Sequence, residues 1–125
     1  MNEAEFERLA AEALDSLPEE FLHHLENIEV TIEDRPSRQD LAAAGIERGD
    51  RHTLLGLYVG IPLTERGEWY GGVLPDRIVL FRKPIEAMAG DRPDDVKREV
   101  RRTVIHEIAH FYGIDDDRLE ELGWG

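Results

Sequence analysis

The sequence predicts an α+β domain, and three observations carry that prediction. Helical periodicity dominates the two ends of the chain: Phe6, Leu9, Ala10, Ala13 and Leu14 near the start, and Val96, Val100, Val104 and Ile108 near the finish. Between them lie three short runs rich in β-branched and aromatic residues, IEVTIED, LLGLYVG and RIVLFRK. A length of 125 residues with 41% hydrophobic content suffices for one core and is too small for two, so residues 1–125 are expected to form a single domain.

Taken in order, the first segment is an amphipathic helix that Pro18 ends. PEEFLHHLENI then opens with proline and two glutamates, the chemistry of a helix start, and turns Phe21, Leu22 and Leu25 inward. His23 and His24 are adjacent and point about 100° apart, so they read as solvated surface. IEVTIED alternates Ile28, Val30 and Ile32 with polar neighbours, as a strand with one wet face does. DRPSRQDLAAAGIERGDRHT is loop-like at both ends with a short helix expected at residues 38–44. LLGLYVG and RIVLFRK are the second and third strands, and IPLTERGEWYGGVLPDR between them reads as a long turn or hairpin tip. There is no internal repeat.

The longest helical candidate, GDRPDDVKREVRRTVIHEIAHFYG, is entered through proline and two aspartates and stopped by Gly113. Val96, Val100, Val104, Ile108 and Phe111 are expected to pack inward, while His106, Glu107 and His110 interrupt the apolar surface. At about 100° per residue, His106 and His110 lie roughly 40° apart and about 6 Å along the axis, so both imidazoles reach one point. The chain has no cysteine, which leaves His, Asp and Glu as the available metal ligands. Two imidazoles on a rigid turn suit zinc, and zinc lowers the pKa of a coordinated water from about 15.7 to about 7. Glu107, next to His106 and poorly aimed for ligation, suits a general base. Hydrolysis of an amide is the chemistry this set supports.

A third ligand requires a turn, because six residues beyond His110 a continuing helix would point about 240° away. Gly113 supplies the turn and brings Asp116 back as the expected third ligand. Asp115, Asp117, Glu120 and Glu121 are the alternatives. Asp117, with Glu120 three residues later, resembles a capping box opening a final helix, DDDRLEELGW.

HEIAHFYGIDD resembles the zincin superfamily, and more closely the short bacterial zincin-like metallopeptidase domains that carry HExxHxxGxxD. LLGLYVGIPLTER and PDRIVLFRKPI also look like central segments of that family, so the likeness extends over most of the chain. The resemblance implies a small mixed β-sheet packed against an active-site helix and further helices. It further implies zinc held by His106, His110 and Asp116, and Glu107 as the catalytic base. In zincins an edge strand pairs with extended substrate, a role that LLGLYVG or RIVLFRK would fill here. Tyr58, Tyr70 and Tyr112 are candidate oxyanion donors, with packing the better expectation for each. The chain departs from metzincins, whose metal site rests on a methionine turn: the only methionines are Met1 and Met88.

The acidic balance bounds the partners. Twenty-eight Asp and Glu against fifteen Lys and Arg give a net charge of −13, which repels nucleic acid and anionic lipid. The N-terminal segment lacks the basic start and apolar run of a secretory signal, and no stretch is long enough to span a membrane. A cytoplasmic monomer acting on peptides or flexible protein segments is the expectation. The alternative is a zincin-fold module that binds metal without catalysis and serves protein binding or regulation; a domain with no metal is the third reading.

Overall fold

The computed structural model describes residues 1–26, 28–44, 54–60, 76–114 and 116–123. Six helices and three strands follow in the order α1 (Glu3–Asp15), α2 (Glu19–Leu25), β1 (Ile28–Glu33), α3 (Arg38–Ala43), β2 (Gly56–Val59), β3 (Asp76–Phe81), α4 (Arg82–Ala89), α5 (Pro93–Phe111) and α6 (Asp116–Glu121). The architecture is α+β, as the sequence predicts.

Hydrophobicity decides the strand order. β3 reads Ile78, Val79, Leu80, Phe81, all fully buried, and an unbroken apolar run requires cover on both faces. It is accordingly the central strand of a mixed sheet ordered β1-β3-β2. β1 runs parallel to it, Ile28 opposite Asp76 through Glu33 opposite Phe81, and β2 runs antiparallel, Gly56 opposite Leu80 through Val59 opposite Arg77. The period of two then divides the core. Ile78 and Leu80 face the main cluster with Phe6, Leu9, Ala10 and Ala13 of α1 and Val96, Val100, Val104 and Ile108 of α5. Val79 and Phe81 face the other way, onto Leu41, Leu54 and Leu57.

Local chemistry fixes the ends of the helices. Asn2 caps α1, its side chain accepting the Glu5 N–H at 2.8 Å. Ser37 and Asp40 form a reciprocal capping box at the start of α3, within the stretch where a short helix is expected. In α5, Pro93 stands in the first turn, followed by Asp94 and Asp95, where the free N–H groups favour negative charge. Phe21, Leu22 and Leu25 of α2 pack partly buried on the main core, and His23 and His24 are exposed.

Four expectations are corrected. The third strand stops at Phe81, and Arg82 and Lys83 begin α4, a helix that the sequence reading missed. Arg82 explains the corner: it is buried, with its guanidinium donating to Asp34 at 3.1 Å and Glu86 at 3.3 Å, while the Lys83 N–H donates to the Asp34 carbonyl at 2.9 Å. Pro84 is tolerated because the first turn of a helix has no internal partner for its N–H groups. RIVLFRK cannot serve as an edge strand, since β3 is paired on both sides. Phe111 is 47% exposed, since in the last turn of α5 its ring lies on Tyr58 of β2 (centroids 4.1 Å apart, planes at 17°). Asp117 lies inside the first turn of α6, because that helix begins at Asp116. The expected long turn falls largely within residues 61–75, which with Tyr70 and Asp115 lie outside the described residues.

Candidate metal centre

The polar stripe of α5 faces β2 across a cleft of about 250 Å³. Leu54, Leu55 and Gly56 form one wall and Met88 of α4 contributes a rim; the α5 side presents His106, Glu107 and His110 together. The His106 and His110 rings stand with centroids 6.0 Å apart at 71°. His106 is half-buried, with its Nε2 atom inside the protein, and His110 is exposed at the mouth.

Glu107 is positioned by the sheet edge. The Leu55 carbonyl accepts from Phe81 N–H at 2.9 Å, so by antiparallel alternation the backbone groups of Gly56 and Tyr58 point away from β3. The outward Tyr58 N–H donates to Glu107 Oε1 at 2.9 Å. Burial raises the Glu107 pKa above the ordinary carboxylate range, opposed by the Tyr58 hydrogen bond and by the proximity of His110. A carboxyl group so placed is moved toward the range in which a general base works at neutral pH. Tyr58 is fixed in turn: its hydroxyl donates to Asp76 Oδ2 at 2.6 Å and its ring stacks on Phe111.

Gly113 makes the predicted reversal. It adopts φ of +80°, its N–H donates to the His110 carbonyl at 3.0 Å, and the Ile114 N–H donates to the Ala109 carbonyl at 2.9 Å. These are the two bonds of a Schellman motif, which ends a helix and turns the chain. α6 follows and is anchored by Leu119, which is buried in the main core. The backbone of Asp116 is its first residue.

The donor set suits zinc. With zinc to imidazole nitrogen at about 2.0–2.1 Å, a ring centroid lies about 3.2 Å from a bound ion and two tetrahedral imidazole ligands have centroids about 5.2 Å apart; the 6.0 Å between the His106 and His110 rings is within about 1 Å of that spacing. Imidazole and carboxylate without thiolate match the ligands of catalytic rather than structural zinc. Among the described residues no group of three His, Asp or Glu side chains is arranged to hold a metal ion; His106, Glu107 and His110 line one cleft.

Sequence reasoning missed the Tyr58 N–H, which leaves no trace in residue type because it belongs to the backbone. It also passed over Arg102 and Thr103, which line the same cleft and lie four and three residues before His106, a spacing legible in the helical period.

A small mixed sheet with a histidine-bearing helix beside it is consistent with a zincin-like fold. The chain belongs to the zincin-like metallopeptidase family, whose sequence model matches residues 25–124. No curated protein matches the sequence. Among the described residues, no helix is long and apolar enough to cross a membrane.

Proposed function

We propose that the protein is a zinc-dependent peptidase that hydrolyses peptides or flexible protein segments, with His106, His110 and Asp116 as metal ligands and Glu107 as general base. The observation that carries this reading is the convergence of His106, Glu107 and His110 on one cleft, with Glu107 held from behind by the Tyr58 N–H. Bound zinc supplies a Lewis acid that polarises the scissile carbonyl and acidifies water. The work of the chain is to place the other groups. Glu107 accepts the proton of the attacking water and returns it to the departing amine, so that one carboxylate serves both halves of the reaction. The Gly56 backbone groups of β2 point away from β3 at the cleft wall, where they would pair with an extended substrate, a mode of recognition that reads chain shape more than side chains. A net charge of −13 argues against nucleic acid or anionic membrane as the partner. A cytoplasmic monomer remains part of the proposal.

The test compares wild type, Glu107→Ala and His106→Ala for zinc stoichiometry and for cleavage of an unstructured protein. Supporting results are zinc retained with hydrolysis lost in the first variant, and zinc lost in the second. Stoichiometric zinc in a wild-type protein inert toward a broad peptide library would instead favour the metal-binding module without catalysis.

A further inference from the structure

Phe111 occupies a place that core packing does not explain. It is 47% exposed and belongs to neither buried cluster, yet its ring lies flat on Tyr58, with centroids 4.1 Å apart and planes at 17°. The end of β2 is shaped to receive it. Gly60 follows Tyr58 by two residues and so returns to the same side of the extended chain. An added Cβ at Gly60 would stand 2.8 Å from Phe111 Cε2 and 3.6 Å from Tyr58 Cε1. The Phe111 ring therefore fits a slot, with the Tyr58 ring as one wall and the bare backbone of Gly60 as another.

The slot matters because of what lies one turn earlier on α5. Glu107 and Phe111 are four residues apart, about 40° around the helix and about 6 Å along it, so they form one stripe. Tyr58 meets both residues: its N–H donates to Glu107 Oε1 at 2.9 Å and its ring stacks on Phe111. A single hydrogen bond acts as a hinge, about which the strand edge can tilt. A second contact on the next turn of the helix fixes that tilt. The far end of Tyr58 is held as well, because its hydroxyl donates at 2.6 Å to Oδ2 of Asp76, the first residue of β3. Such restraint counts most at the Tyr58 amide, which points out of the sheet and takes no part in the ladder to β3.

We propose that Phe111 is a positioning residue for the general base: by clamping the Tyr58 ring it holds the Tyr58 N–H against Glu107 Oε1, and so fixes the carboxyl group with Oε2 left for the reacting water. The inference rests on the peptidase reading above. A carboxylate tied through one oxygen keeps the other in a fixed place, and proton transfer from a positioned water depends on placement to within about 0.5 Å.

The test uses full-length, zinc-loaded protein and two readouts: amide hydrogen exchange by NMR, and kcat and KM measured separately on an unstructured peptide. Phe111→Ala empties the slot, Gly60→Ala pushes the ring out of it, and Phe111→Tyr keeps the stack. Because Phe111 is exposed and outside both core clusters, its variants are expected to fold. A ring stack of this geometry is worth about twofold to tenfold in an equilibrium, so Phe111→Ala and Gly60→Ala are expected to speed exchange at the Tyr58 amide by about threefold to tenfold. In both, kcat falls by a similar factor while KM and zinc stoichiometry stay as they were. Phe111→Tyr restores the exchange rate and kcat together. The Leu57 amide, which faces Val79 inside the sheet, is the control, and Glu107→Ala sets the rate of an untied Tyr58 amide. Faster exchange at Leu57 and Tyr58 alike overturns the assignment, since Phe111 would then only hold β2 on the helix. Tyr58 exchange unaltered by Phe111→Ala overturns it too. Cleavage by wild type with a kcat that Phe111→Ala leaves unchanged removes the positioning role and keeps the peptidase reading. Selective loss of Tyr58 protection in a protein that cleaves nothing supports the placement of Glu107 by Phe111 and removes the peptidase reading.

Discussion

The amide of Tyr58 on the edge strand donates to Oε1 of Glu107 on the long helix at 2.9 Å, a tie across forty-nine residues of sequence. The donor is a backbone group and survives any ordinary side-chain change, so the partner's chemistry decides what happens. Glu107→Gln keeps an oxygen to accept that bond and loses the base. It is expected to fold and retain zinc while hydrolysis falls by about 10²- to 10⁴-fold. Glu107→Ala loses the same activity and also strands the N–H, so in chelator it should be less stable than Glu107→Gln by about 1 kcal/mol. Equal urea midpoints for the two variants would show that the bond contributes nothing to stability.

Zinc itself should register as stability. A ligand that binds only the folded state adds RT ln(1 + [L]/Kd), about 2.7 kcal/mol at a hundredfold excess over Kd. Titrating zinc into chelator-treated wild type is expected to raise the melting temperature with that logarithmic dependence. Because the rings of His106 and His110 lie 6.0 Å apart on adjacent turns, His106→Ala and His110→Ala should each abolish most of the rise. An unchanged zinc response in both variants would place the ion elsewhere.

The parts of the fold legible in the sequence were those with a strong period or a stereochemical requirement. The apolar repeat through Val96, Val100, Val104 and Ile108 identified α5, and Gly113 identified its end, because a φ of +80° suits glycine best. The placement of Phe111 failed, since period alone does not say where a helix outruns its cover; in its last turn the facing surface is Tyr58 on a short edge strand. Helix α4 was hidden because the corner at Phe81–Arg82 depends on Asp34, forty-eight residues earlier, which is a tertiary fact. At the site, the pair His106 and His110 was readable as helix geometry. The orientation of Glu107 was not, because a backbone donor from a strand distant in sequence sets it.

Gly56 offers a separate check on how β2 sits against α5. A Cβ there would lie 2.6 Å from Thr103 Cγ2 and 3.2 Å from the Val79 carbonyl oxygen. Gly56→Ala is therefore expected to destabilise by about 1–3 kcal/mol, the usual range for overpacking. Thr103→Ser removes the nearer contact and leaves the carbonyl, so it should recover part of the loss. A double-mutant cycle in urea measures this: a coupling energy of at least about 0.5 kcal/mol is expected between residues in contact, and additivity would mean the strand and helix are farther apart than described.

The third ligand can be isolated by comparing neighbours that differ in placement and little else. Asp116 and Asp117 both belong to the first turn of α6, so substituting either removes one negative charge near the same helix start, an effect of about 0.3–1 kcal/mol on folding. That shared loss cancels when the two variants are compared without metal. With zinc, Asp116→Ala is expected to lower the affinity at least tenfold relative to Asp117→Ala, because only the proposed ligand changes the donor set. Gly113→Ala supplies the control for the reversal that carries the aspartate back. Alanine at a φ of +80° costs about 1–2 kcal/mol, and loosening the turn should weaken zinc binding by less than removing the carboxylate does. Competition with a chromophoric chelator reads all three affinities. If Asp117→Ala is the weaker binder, the ligand is misassigned by one residue; if neither changes, the carboxylate comes from Glu120, Glu121 or Asp115.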